Sequence, residues 1–371
     1  MRKQQLRLIL FSTLLSLNCL TTLVQAQQET TTVGGYGELH YNDLRGGGAN
    51  VDFHRFVIYI EHSYNDWVVF KSETEIEHTK LEDSGSSGGE LAIEQAYLDL
   101  QFSKWVGMRA GILLPPIGII NEIHEPPTFH GVERPNFDRN LIPTTWRESG
   151  IGIYGNLWEG MKYKLYLMAG LDASGFSGAS GIRGGRQEAA ESSTKNPSVT
   201  GKIEYVPLAG LKMGGSFWVG NSISETDTTG SGKITLVSMD IQYNVGAFQL
   251  RTVATMIQIG DTDKINAKYN ASVGSHLNGF YMEGAYNLMP LFFQRTEQEI
   301  FTFARLEKYN TQVKMATGYS ADKANDRTEW TFGFTYRPAP KVALKLDYQI
   351  FVNANRKETK RQLNAGMGYM F

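Results

Sequence analysis

Three arginines and a set of carboxylates crowd into one stretch, and the chemistry open to them is electrostatic rather than covalent. Arg134, Arg139 and Arg147 share the segment 115–148, PPIGIINEIHEPPTFHGVERPNFDRNLIPTTWRE, with Glu122, Glu125, Glu133, Asp138 and Glu148. Charges of both signs facing each other across a water-filled passage set up a transverse field, and the width and sign of the narrowest ring decide which solutes pass. Arg134, Arg139, Arg147, Glu125 and Glu133 are the candidates for such a ring, which needs no turnover and no cofactor. Arg147 with Glu148 has a second reading, in which the pair pins the segment to a wall.

His124 and His130 lie among Glu122, Glu125 and Glu133, residue types that hold metals. Their spacing matches no helical His–Glu pattern and prolines intervene, so they are expected to be solvated loop histidines, and no metal is expected. Glu82-Asp83 and Asp261 to Asp263 give an equally weak cation signal. Nothing resembles a nucleophile elbow, a phosphate-binding loop or paired catalytic carboxylates on a helical frame, and the expectation is that the protein is not an enzyme. Gly34 to Gly37 enters a strand with no helix after it, so it is no phosphate cradle.

The segment that carries these groups reads as neither helix nor strand. Prolines at 115, 116, 126, 127, 135 and 143 remove amide donors and fix φ. Ile117, Ile119, Ile120, Ile123, Phe129, Phe137, Leu141, Ile142 and Trp146 make it too apolar for a solvated tail. An irregular stretch of this length inside a domain is normally functional. The expectation is a loop that folds inward and narrows a pore.

On either side of it, apolar and polar residues alternate with period two, which means strands. In Lys341 to Phe351, Val342, Leu344, Leu346, Tyr348 and Ile350 share one face, with Lys345, Asp347 and Gln349 opposite. Leu363, Ala365, Met367, Tyr369 and Phe371 form another such face, against Gln362, Asn364, Gly366 and Gly368. Some sixteen segments of this kind are predicted, near 33–42, 50–62, 66–78, 91–102, 105–114, 149–157, 161–170, 198–206, 210–220, 232–245, 247–259, 274–288, 298–308, 328–337, 341–354 and 361–371. Short turns alternate with long loops near 43–49, 79–90, 115–148, 171–197, 221–231, 260–273, 309–327 and 355–360; only the connection at 289–297 breaks that rhythm.

Such a string predicts an all-β fold, a transmembrane antiparallel barrel of about sixteen strands with its third loop in the lumen. In lipid every backbone N–H and C=O must be paired, so the sheet has to close. A soluble sandwich or propeller is the competing architecture, but it would bury the outward apolar faces. A charge on a lipid face costs about 2–4 kcal/mol near the midplane, so alternation assigns Arg55, Lys71, Glu73, Arg109, Arg305 and Lys345 to the pore lining, with Lys162, Lys164, Arg251, Glu283, Glu307 and Asp347 beside them. Tyr36, Tyr41, Trp67, Trp105, Trp158, Tyr205, Trp218, Tyr243, Tyr336 and Tyr369 fall near strand ends and suit girdles at the lipid–water boundary.

Residues 1–26 read as a secretory leader: Arg2, Lys3 and Arg7, an apolar run from Leu8, and small residues around Ala26. A membrane anchor competes with this reading, as does a lipoprotein site at Cys19, though Leu17-Asn18 are not the small residues a lipid site wants. Residues 27–371 then form one barrel domain without a cysteine. Cleavage would leave 33 basic against 38 acidic residues, a net charge of about −5, which argues against nucleic acid as a partner. The expected location is the outer membrane of a Gram-negative-type cell, with lipid and small hydrophilic solutes as partners.

GGYGELHYN from Gly34, VDFHRFVIYI from Val51, LIPTTWRESGIGIYG from Leu141, FARLEKYN from Phe303, KVALKLDYQ from Lys341 and the terminal GMGYMF together resemble the phosphate-selective porin family of the O/P type. That resemblance implies a sixteen-stranded homotrimeric porin with loop three in the lumen. Family members select phosphate with a basic ladder and an Arg/Lys constriction. This chain departs from that pattern, because Glu73, Glu75 and Glu77 stand beside a single Lys71. The expected function is passive diffusion of small hydrophilic solutes, anions such as phosphate included. A surface-binding or adhesion barrel working through its outer loops is the alternative.

Overall fold

Alternation of side chains closes here into a cylinder. In the computed structural model, which describes residues 29–78, 89–193, 195–222, 231–293, 296–355 and 359–371, sixteen strands form one closed antiparallel barrel. The first eight are β1 (Thr30–Leu44), β2 (Gly48–Ser63), β3 (Val68–Glu77), β4 (Leu91–Leu100), β5 (Gly107–Leu113), β6 (Glu148–Trp158), β7 (Met161–Met168) and β8 (Ser198–Leu208). The others are β9 (Leu211–Gly220), β10 (Ile234–Val245), β11 (Phe248–Ile259), β12 (His276–Asn287), β13 (Glu299–Lys314), β14 (Asp326–Ala339), β15 (Val342–Asn353) and β16 (Lys360–Met370). Each pairs with its neighbours in chain order, and β1 closes on β16 from Tyr36↔Met370 to Leu44↔Gln362. Closure leaves no unpaired edge, which is what a hydrocarbon surrounding demands. The leader and Glu82-Asp83 lie outside the described residues.

Two connections differ from expectation. The long loop foreseen over 43–49 is a tight turn from Arg45 to Gly47, and Gly46 and Gly48 carry φ of +85° and +93°, where a side chain would be strained. β13 runs on to Lys314 instead of ending near 308. Asn310, Thr311 and Gln312 are consecutive polar residues there, so alternation lapses and could not reveal the extension. The irregular connection at 289–297 holds one helical turn, Met289–Phe292, and the loop before β12 holds a helix, Thr262–Tyr269.

Outward faces are apolar: Ile151, Leu165, Met239, Met256, Met282, Phe334, Leu346 and Met367 are all exposed. Trp67, Trp105, Trp158 and Tyr205 are also exposed and ring the end with the short turns, as a girdle should. Tyr36 and Trp218 are a correction, because both are fully buried inside the barrel.

The interior departs from simple alternation as well. Polar residues line it on β1–β4 and β13–β16, including Glu38, Arg55, Glu73, Asp347 and Asn364. From β7 to β12 the inner wall mixes polar residues such as Thr200, Lys202 and Asp240 with large apolar ones: Tyr166, Trp218, Leu236, Val253, Ile257 and Tyr281 are buried there in one cluster with residues of the third loop. A wall that faced only water would not carry them. They are inward because something apolar covers them.

Candidate functional site: the third loop across the lumen

That cover is the segment between β5 and β6. Ile117, Ile120, Phe129, Phe137, Leu141, Ile142 and Trp146 are all buried, and Trp146 packs on Trp218 with ring centroids 4.3 Å apart. Each such side chain removed from water contributes about 1.5–3 kcal/mol, so the apolar residues that set this stretch apart from a tail are what draw it inside. Its prolines limit regular structure to a 3-10 turn, Pro126–Thr128, and a helical turn, Asn136–Asn140.

Polar contacts fix the loop to strands around the whole cylinder. Arg55 on β2 donates to the His124 carbonyl at 3.2 Å, and Lys202 on β8 to the Gly118 carbonyl at 2.5 Å. The amides of Phe137 and Val132 donate to Glu307 on β13 at 2.7 Å and to Asp347 on β15 at 2.6 Å. Asn136 donates to Glu329 on β14 at 2.6 Å, and His130 meets Gln249 on β11 at 3.1 Å. On β16 the wall makes room: a Cβ on Gly368 would fall 2.2 Å from Pro126 Cβ, and one on Gly366 2.9 Å from Val132. Gly368→Val should therefore loosen the loop, seen as protease cleavage within 115–147 that the native protein resists.

Water-sized space remains on both sides of the loop. At the end carrying the long connections lies a cavity of about 680 Å³ bordered by Asn42, His54, His78, Glu133 and Arg139. A neighbouring one of about 190 Å³ adds Arg134 and Arg183. Towards the short turns are a cavity of about 320 Å³ lined by Tyr59, Lys71, Glu73 and Glu125, and one of about 280 Å³ lined by Arg109, Lys164, Glu122 and Lys212. Charge of both signs borders each one.

Of the five residues expected at the constriction, Glu133, Arg134 and Arg139 border the long-connection side and Glu125 the other. Arg147 is buried in ion pairs with Glu188 at 3.0 Å and Glu90 at 3.4 Å, so it is held by the neighbouring connections and not, as the second reading has it, by pairing with Glu148 against the wall. Among the expected lining residues, Lys71, Glu73 and Arg109 border cavities, with Arg109 paired to Asp99 at 3.3 Å. Arg55, Arg305 and Lys345 are instead buried beneath the loop. Arg305 donates to the Glu133 carbonyl at 3.2 Å, and Lys345 Nζ sits 3.7 Å from the centre of the Phe129 ring. They face inward as alternation requires, but toward protein rather than solvent.

His124 and His130 are a further correction: neither is solvated. His130 stacks on Phe303 with centroids 5.5 Å apart, and burial beside Arg251 and Arg337 holds its pKa well below the usual imidazole range. Sequence reasoning also missed Glu38, His40 and Glu94, which bond Arg55, Glu133 and His124 respectively. The one signal for Glu94 was a break in alternation, since Ile93 and Leu98 both point outward five residues apart.

Asp138 is fully buried on the loop, with neither carboxylate oxygen hydrogen-bonded. Burial, reinforced by Glu307, pushes its pKa well above the usual range despite Arg305 and Arg134. A carboxyl raised in the folded state stabilises the fold most below its unfolded pKa and loses that contribution as pH rises. Asp138→Asn should therefore raise the urea midpoint at pH 8 and leave it nearly unchanged at pH 4.

No family model matches the chain. A protein of Aquifex aeolicus (strain VF5), described as uncharacterized, is 36% identical over 330 residues, covering 85% of this chain and 74% of the relative. The chain belongs to that protein's family. Solved structures give the architecture. The outer membrane channel DcaP of Acinetobacter baumannii superposes with a TM-score of 0.60 at 12% identity, over 94% of this chain and 98% of that one. The anion-selective porin from Comamonas acidovorans gives 0.57 at 12%, over 93% and 100%. In vitro folded OmpT of Vibrio cholerae, in its trimer form, gives 0.58 at 9%, over 93% and 100%. The fold of this family member is thus that of outer-membrane porins.

Proposed function

We propose that this protein is an outer-membrane porin through which small hydrophilic solutes diffuse passively, with the third loop as its constriction. One observation carries the reading: a loop bonded around the cylinder stands between polar cavities on its two sides. A wall of mixed sign, with Glu133 beside Arg134 and Arg139, suits hydrated polar solutes generally. Phosphate and other small anions fall within that class, but Glu73, Glu75 and Glu77 supply no basic ladder to single them out. The comparisons support an outer-membrane location, and the form described for OmpT is a trimer, the assembly we propose here too; residues 1–26 are read from their sequence as the leader that directs export.

Liposomes carrying the protein should swell in small saccharides and progressively less in larger ones. Swelling equal to that of empty liposomes would favour the surface-binding reading. Reversing Arg134 and Arg139 together, as Arg134→Glu and Arg139→Glu, should move the zero-current potential toward cation preference in a salt gradient. An unmoved potential would remove those two from the constriction.

A further inference from the structure

β3 and β4 hold a group of side chains that solute passage does not require. Glu73 and Glu75 point inward two residues apart on β3. Register between the strands shifts from Glu73↔Gln95 to Thr74↔Ile93, so Glu94 is the extra residue of a bulge and turns inward beside them. Bulges commonly re-aim a side chain in this way. All three carboxylates are buried. From the loop, His124 reaches the same place, its Nε2 3.1 Å from Glu94 Oε2 and 3.8 Å from Glu73 Oε1.

We infer that Glu73, Glu94 and His124 bind one divalent transition-metal ion of the zinc type, which fastens the third loop to the β3–β4 wall. The donor atoms of these three lie within 4.8 Å of one another. Ligands on a common tetrahedral zinc stand roughly 3.3 Å apart, a spacing that the two measured distances bracket. Glu73 Oε1 and Glu94 Oε1 have no hydrogen-bond partner although both are buried, and neither has any oxygen of Glu75. Orphaned buried carboxylate oxygens are costly unless a cation meets them.

Surrounding groups orient the donors as a metal site requires. The Asn121 carbonyl accepts from His124 Nδ1 at 3.3 Å, which turns Nε2 toward the carboxylates, and Gln95 donates to Glu73 Oε2 at 2.7 Å. Neighbouring cations are already engaged: Arg55 pairs with Glu38 at 2.5 Å and Lys71 with Glu61 at 2.9 Å. An imidazolium alone would offset one of three carboxylates, whereas a dication replacing the Nε2 proton offsets two and releases that proton. One imidazole with two carboxylates suits zinc and its neighbours better than calcium. The cavity of about 320 Å³ that Glu73 and His124 border gives an ion a way in.

A second trio, Asp52, His54 and His78, forms the competing site. There both histidine Nδ1 atoms already bond Asp52 Oδ2, at 3.0 Å and 2.7 Å.

Titrating the EDTA-stripped, detergent-folded protein with ZnCl2 in a calorimeter tests the assignment independently of whether the barrel conducts. The expected result is one tightly bound zinc per chain, weakened roughly ten-fold or more by Glu94→Gln and by His124→Gln, and retained in the His54→Gln/His78→Gln double variant. Heat-dependent gel mobility checks that each variant is folded. Cobalt(II) should show a visible ligand-field band that the same two substitutions abolish. Zinc binding that survives Glu94→Gln and His124→Gln, that disappears with His54 and His78 instead, or that does not occur at all would overturn the site.

Discussion

Replacing Ile119–Asn140 by a short Gly-Ser linker is expected to enlarge the single-channel conductance several-fold. Those residues carry the contacts to β1, β11, β13, β14 and β15 that hold the loop across the cylinder. With them gone, the cavities at the two ends would join without a partition. The deletion also uncovers Tyr281 on the inner wall, whose ring centroid lies 5.5 Å from that of Phe137, and strips Ile119, Ile120, Phe129, Val132 and Phe137 from the buried set. Each costs about 1.5–3 kcal/mol of burial, so the variant should unfold at a lower urea concentration even though the strand ladder is untouched. Larger steps with a weaker fold is the signature of a loop that both narrows and fills. Unchanged current would mean that solutes do not pass where the loop stands.

Arg55→Met should be the most damaging single substitution. Arg55 is fully buried, donates to Glu38 at 2.5 Å, to the Tyr36 hydroxyl at 3.2 Å and to the His124 carbonyl at 3.2 Å, and its guanidinium lies 5.2 Å from the centre of the Tyr36 ring. Without it, the ion pair left to Glu38 among the described residues is the one with His40, at 3.2 Å. Leaving one member of a buried ion pair uncompensated costs about 3–5 kcal/mol. Arg55→Met/Glu38→Gln should recover much of that loss, because the stranded charge leaves too, and a double-mutant cycle on the urea midpoint isolates the coupling. Equal losses in the single and double variants would show that packing, not the charge, accounts for the effect. Since Arg55 also tethers His124, the single variant should conduct with noisier, larger steps.

Most of the strand order was legible because lipid and water impose opposite demands on successive side chains. Leu344, Leu346 and Leu363 point outward, with Lys345, Asp347 and Asn364 inward, as the pattern required. What alternation cannot report is what an inward residue meets. Arg55, Arg305 and Lys345 were placed on the correct face and in the wrong medium, since the covering loop is distant in sequence from the strands it covers. Trp218 and Tyr36 read as girdle residues for the same reason. The inner glycines Gly366 and Gly368 looked like mere absence of a side chain, yet they are where Val132 and Pro126 approach the wall. His124 and Glu94 meet only because a bulge shifts the parity of β4 and the loop folds back 30 residues in sequence; spacing along the chain holds no trace of that.

Planar-bilayer recording of the purified full-length protein tests the central claim most directly. Stepwise, ohmic currents that scale with salt and enlarge when Ile119–Asn140 is removed are the predicted result. A folded barrel that inserts yet carries no current, with and without the loop, would contradict it.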